Sequence, residues 1–208
     1  MHAHADPLLN PETSLVVLID YQTEMFARVK SMDTKVLELK AQVVARACRK
    51  FGVPAVLSTV GVGMGVNKPT VASLRGELKD QPELDRSTMN AWEDEGVRRA
   101  VEKSGRRRLI FGALWTEVCL ALPVVHAQRE GYETYFVADA VGGTSAVDHE
   151  MALRRMIQAG SKPLTVTTLL CEWTRDWKGP HAGSLREIMP WYFGELERLA
   201  KQHVREPA

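Results

Sequence analysis

Residues 108–140, RLIFGALWTEVCLALPVVHAQREGYETYFVADA, hold the pattern on which the fold is decided. The short apolar run at 108–112, RLIFG, reads as a strand. Residues 117–130 then carry apolar side chains at helical spacing, and YETYFVA at 132–138 reads as a second strand ending in Asp139. Strand, helix and strand in that order form a crossover unit, which lays both strands parallel in one sheet with the helix on its face.

Working outward, the alternation repeats. SLVVLID at 14–20 has five consecutive apolar residues and reads as a strand buried on both faces. Asp33 is the expected N-cap of a helix running to about residue 51, ended by Gly52. Pro54 opens a strand at 54–59, PAVLST, and a glycine-rich loop follows at 61–65. Helices are expected over 93–103, closed by Gly105, and over 147–159, closed by Gly160, with a last strand at 164–168. LLCEWTRDW at 169–177 reads as helical, and residues 184–204 as an amphipathic tail interrupted by Pro190. The expected architecture is α/β: a three-layer doubly wound fold with a mostly parallel central sheet flanked by helices. Residues 1–180 form the domain, with 1–12 flexible. Residues 181–208 form a C-terminal helical arm whose Leu185, Ile188, Trp191, Tyr192 and Phe193 present more apolar area than a free arm leaves in water, which predicts a subunit interface and a homo-oligomer.

Composition narrows the function. Among 208 residues, 27 lysines and arginines nearly cancel 26 acidic residues, so the basic imbalance of a nucleic-acid binder is missing. Arg106, Arg107 and Arg108 read as a solvated loop. No apolar stretch approaches the ~20 residues that span a bilayer, and MHAHADP at the start lacks the apolar core of a signal peptide. Cys48, Cys119 and Cys171 are too few for a disulfide framework or a zinc cluster, which suits a reducing cytoplasm. His2 and His4 read as part of a disordered terminus rather than as metal ligands.

In open α/β sheets, ligands bind beyond the carboxyl ends of the strands. That rule selects Asp20, Thr59, Gly112 and Asp139. Cys119 falls in the first turn of the helix after 108–112, with Thr116 as expected N-cap. Unpaired backbone N–H groups and the positive end of the helix dipole there favour a thiolate and lower the cysteine pKa. The same groups can donate to an oxyanion. Most cysteines are small apolar fillers; mid-helix Cys48 and the aromatic-flanked Cys171 are read that way, and His126 and His149 as core or surface residues. Asp20 alone could cap a strand end; Asp20 and Cys119 together at one sheet edge point to nucleophilic catalysis. The glycines at 61, 63 and 65 suggest a dinucleotide loop, but Val66 stands where G-x-G-x-x-G needs glycine. No G-x-S-x-G elbow and no P-loop occurs.

LVVLIDYQ (15–22), DRSTMNAWED (85–94) and LIFGALWTEVCLALPVVHAQREGYETYFVADAVGG (109–143) together resemble the isochorismatase-like cysteine hydrolases. The Asn-Ala-Trp segment and the pattern RMIQAG…CEWTRDW narrow the resemblance to the YcaC-type branch. It implies a catalytic Asp20, Arg86 and Cys119, with arginine where much of the wider family has lysine. An arginine stays protonated, so Arg86 would act as a fixed cation rather than a proton shuttle. The resemblance also implies a cis Leu114–Trp115 bond, with the Trp115 and Cys119 N–H groups forming an oxyanion hole. VGVGMGVNK at 60–68 lacks the Asp and His by which nicotinamidases of the superfamily hold a metal, so no metal and no cofactor is expected. Tyr21 and Trp92, beside Trp115, are candidates for lining an apolar substrate pocket, though each could equally pack the core. The expected activity is hydrolysis of a small amide or ester-like carbonyl through a thioester. The resemblance further implies a closed multi-ring assembly, an octamer. Competing readings are a catalytically silent scaffold and a nucleotide-binding module using loop 61–65.

Overall fold

The computed structural model describes residues 6–205 of the chain, with side chains through residue 202. Six strands build one wholly parallel sheet: β1 (Ser14–Ile19), β2 (Ala55–Val60), β3 (Glu83–Arg86), β4 (Arg108–Ala113), β5 (Glu133–Val137) and β6 (Lys162–Leu164). Their order is β3-β2-β1-β4-β5-β6, so the winding reverses between β1 and β4. Among the described residues eight α-helices accompany them, the last two after β6: α1 (Thr23–Phe26), α2 (Thr34–Phe51), α3 (Ala72–Glu77), α4 (Glu95–Ser104), α5 (Ala121–Arg129), α6 (Ala146–Gln158), α7 (Val166–Thr174) and α8 (Ala182–Arg205).

Side chains along a strand alternate between the two faces, and β1 distributes its apolar run accordingly. Val16 and Leu18 pack with α2, α7 and α8, whereas Leu15, Val17 and Ile19 pack with α4, α5 and α6. Both faces are thereby covered, which is why the central strands are apolar without a polar alternate. Helix ends follow the punctuation in the sequence. Asp33 caps α2 by accepting from the Val36 N–H at 2.8 Å, and Gly52 ends it with φ of 67°. Gly105 closes α4 in the same left-handed conformation, φ 66°.

Four expectations are corrected. β3, ELDR, was not expected: an edge strand with three charged residues carries no apolar run. The strand expected at 164–168 is three residues long, and Thr165 caps α7 by accepting from the Thr168 N–H, so the β-branched Val166, Thr167 and Thr168 open a helix. The tail is one helix through Pro190, which cannot donate to the Arg186 carbonyl. Burial of Leu185, Ile188, Tyr192 and Leu199 in the layer with α2 and α7 offsets that loss. The same burial sets much of the arm's apolar side against its own chain and leaves Phe193 48% exposed. Finally, residues 6–12 are fastened rather than free. Leu9 is fully buried, with its N–H on Glu172 at 2.8 Å, and Arg108 and Arg175 hold the carbonyls of Leu8 and Leu9. His2 and His4 lie outside the described residues.

Candidate active site

The reversal of strand order sets the carboxyl ends of β1 and β4 side by side, where a doubly wound sheet opens a crevice. Asp20 follows β1 with φ of 59°, a left-handed conformation that aspartate tolerates better than most residues. Its N–H donates to the Ser58 carbonyl at 2.9 Å and its own carbonyl accepts from the Gln22 N–H at 2.8 Å. This backbone turn leaves the carboxylate fully buried at the strand end.

Arg86 ends β3, two strands away, and its side chain crosses the end of β2 to reach Asp20. On the way Nη1 donates to the Thr59 carbonyl at 3.0 Å and to Ser58 Oγ at 3.3 Å. Nη1 and Nη2 then donate to the two carboxylate oxygens at 2.6 and 2.7 Å, a planar two-point bond. Both side chains are fully enclosed. Burial alone would lower the Arg86 pKa, but the hydrogen bonds and charge of Asp20 outweigh it and hold the guanidinium more firmly protonated than usual. Its Nε is buried without a hydrogen-bond partner among the described residues.

Cys119 arrives from β4. The chain turns through a cis Leu114–Trp115 bond into a π-helical turn, Thr116–Leu120, in which the Leu120 N–H donates to the Trp115 carbonyl at 3.2 Å before α5 begins. Cys119 is 5% exposed, and its thiol sits within the electrostatic reach of the Asp20 carboxylate, the Arg86 guanidinium and the Trp115 N–H. Asp20, Arg86 and Cys119 therefore meet in one enclosed cluster. Two local expectations change. Thr116 is not an N-cap; its hydroxyl is paired with Nδ1 of His149 at 2.8 Å. The thiol is also not acidified. Burial, and then the charge and hydrogen bond of Asp20, push its pKa well above the ordinary cysteine range, and neither Arg86 nor the Trp115 N–H reverses this. The resting group is a neutral thiol beside a carboxylate.

Tyr21 and Trp92 are both buried among core residues. Tyr21 is 1% exposed and donates to the Ala140 carbonyl at 2.6 Å; Trp92 is 2% exposed, stacks edge-on against Tyr132 and donates to Glu130 at 3.0 Å. Asp139 serves structure, accepting from the Val166 N–H and pairing with Lys40 at 3.0 Å. The indole of Trp115 donates to the Met25 carbonyl at 2.9 Å. Sequence reasoning missed Ser58 as a brace for Arg86, and Asp85. The Asp85 carboxylate accepts from Thr59 Oγ1 and from the N–H groups of Val62 and Gly63 at 3.0, 3.0 and 2.8 Å. The donors that a phosphate would need in loop 61–65 are thus already bound to an internal anion, which argues against the nucleotide reading. Among the described residues no three His, Cys, Asp or Glu side chains cluster as a metal site.

Comparison with known proteins bears on the family and the fold. Residues 14–168 match the sequence model of the isochorismatase domain. The chain is 30% identical over 176 residues, 84% of each chain, to a protein described as probable hydrolase YcaC from Escherichia coli. Among solved structures, the Escherichia coli YcaC gene product, described as an octameric hydrolase of unknown specificity, has a TM-score of 0.84 at 28% identity and covers 95% of this chain and 98% of its own. YcaC from Pseudomonas aeruginosa, solved with hexane-2,5-diol and covalent acrylamide, has a TM-score of 0.84 at 26% identity and covers 95% of this chain and 100% of its own.

Proposed function

The chain belongs to the isochorismatase family, and from that premise we propose that it hydrolyses a small amide or ester-like carbonyl compound with Cys119 as the nucleophile. The observation that carries the reading is the fully buried Asp20 carboxylate, which is bound at two points by the Arg86 guanidinium and acts on the Cys119 thiol. Asp20 takes the thiol proton as sulfur attacks the carbonyl, forming a carbon–sulfur bond. The N–H groups of Trp115 and Cys119 receive the oxyanion, with Arg86 as a fixed positive charge nearby. Asp20 then protonates the leaving nitrogen or oxygen and the thioester forms. A water that gives its proton to Asp20 attacks the thioester, releasing the acid and restoring the thiol. Water is the only co-reactant in this scheme, and no cofactor enters it.

An octamer is the assembly we propose, supported by the octameric Escherichia coli relative. Three free cysteines suit a cytoplasmic setting, and among the described residues no helix is long and apolar enough to cross a membrane. The test is a panel of small amides and esters assayed with the wild type and with Cys119→Ala. Turnover that disappears in Cys119→Ala supports the reading. Turnover that survives in that variant overturns it.

A further inference from the structure

Three of the large apolar side chains that this chain leaves exposed lie on one helix, α6: Val147, Met151 and Ile157 are 68, 48 and 49% exposed. The inner side of α6 is accounted for. Ala152 and Met156 are buried in the core against the sheet, and His149 holds the Thr116 hydroxyl in the turn before Cys119. At 3.6 residues per turn, Val147, Glu150, Met151, Arg154 and Ile157 fall within about a third of the helix circumference, on the side away from Ala152 and Met156. Glu150 and Arg154, both more than half exposed, pair with each other one turn apart along that face. Met151, Arg154 and Ile157 line an open recess of about 590 Å³ beside it. Scattered apolar residues are ordinary on a surface; three on a single helix face mark a contact.

We propose that this face of α6 docks against the same face of a second copy of the chain, antiparallel and about a two-fold axis at the level of Ala152. The occupant is read from the order of residues along the helix. A two-fold contact sets residues equally far before and after the axis opposite each other. Val147 then comes level with Ile157 of the partner subunit, and Glu150 with Arg154 of the partner subunit, so apolar meets apolar and each charge meets its opposite. Met151, one residue from the axis, comes close to Met151 of the partner subunit. The helix is thus complementary to itself, which a surface for an unrelated partner has no need to be. One helix face is smaller than a free-standing dimer interface, so the contact is one joint within a larger assembly. This rests on the octamer proposed above, whose size admits two-fold axes.

Light scattering of the full chain and of two charge reversals tests this. Glu150→Arg sets like charges level with each other across the axis, and Arg154→Glu does the same with the opposite sign. Each should cut the assembly to about half the wild-type mass or less, with the circular dichroism of the fold unchanged. The two single variants mixed in equal amounts should regain the wild-type mass, because the excess charge on each copy then faces its opposite on the other. Mixing separates this contact from the pair within one helix: in each variant the Glu150–Arg154 pair stays broken, so its repair cannot restore the mass. Single variants that both keep the wild-type mass overturn the α6 contact and leave the octamer in place. Single variants that fall apart and do not regain the mass on mixing assign the effect to one helix alone and overturn the contact as well. If a charge reversal does not fold, Met151→Glu on the same face decides: a smaller assembly supports the contact, and the wild-type mass overturns it. A wild-type chain that scatters as a monomer defeats the octamer, and this inference falls with it.

Discussion

Asp20 is asked for two things that pull against each other. As a partner of Arg86 it must be an anion, because a buried guanidinium without a counter-charge is costly. As the base for Cys119 it must accept a proton, and Arg86 opposes that. Removing the carboxylate should therefore damage both catalysis and folding. Shape alone would suggest that Asp20→Asn folds like the wild type, but the amide replaces one acceptor oxygen with an NH2 that faces an Arg86 donor at what is now 2.6 or 2.7 Å. We expect turnover to fall by about 10²–10⁴ and the free energy of unfolding by about 3–5 kcal/mol. Steady-state rates and urea unfolding measure the two separately. Full activity in Asp20→Asn would remove the base, and unchanged stability would remove the energetic weight given to the ion pair.

At the scale of the element, the thiol of Cys48 shows how α2 stakes its burial on a neutral core. Burial pushes its pKa from the ordinary 9.0 up to about 12. A raised folded-state value gives stability that is fully present below 9.0 and lost as pH climbs toward 12, because the unfolded chain releases the proton first. Over that window Cys48 should contribute a slope of about 1.4 kcal/mol per pH unit. Unfolding followed by circular dichroism at stepped alkaline pH should show a shallower fall for Cys48→Ala than for the wild type; parallel curves would contradict the assignment. Elements were legible wherever an apolar period or a stop residue marked them. The run in β1, Asp33 with Gly52 around α2, and Gly105 after α4 all gave their elements away. β3 was not legible, because ELDR is placed in the sheet by pairing with β2 and by the buried reach of Arg86, not by an apolar run. β6 and α7 were confused because Val166, Thr167 and Thr168 favour strands locally, while the Thr165 cap and the burial of Leu169, Leu170 and Trp173 favour a helix.

For the whole molecule, α8 is part of the covering of its own sheet. A chain ending at residue 180 would uncover the faces of α2 and α7 against which α8 packs, and remove Leu185, Ile188 and Tyr192 from that core. It should lose cooperative unfolding, whereas the full chain should run as an octamer by light scattering. A well-folded shortened monomer would put the arm at a subunit interface, and a full-length monomer would contradict the assembly. The sheet as a whole also builds the site, since Asp20, Arg86 and Cys119 come from the ends of β1, β3 and the turn after β4. Sheet-edge placement made Asp20 and Cys119 legible, and the segments resembling a known family supplied Arg86. The state of the thiol was not legible, because the helix-start argument omits the desolvation and the carboxylate that surround Cys119. That carboxylate makes the most direct test of the account possible. Acrylamide, a small amide electrophile, should modify Cys119 faster than the far more exposed Cys171 near neutral pH, since only Cys119 has a base against its thiol. Peptide mass spectrometry after brief exposure reads the order: a Cys119 adduct appearing first is the predicted result, and adducts confined to Cys171 with Cys119 unmodified would contradict the nucleophile.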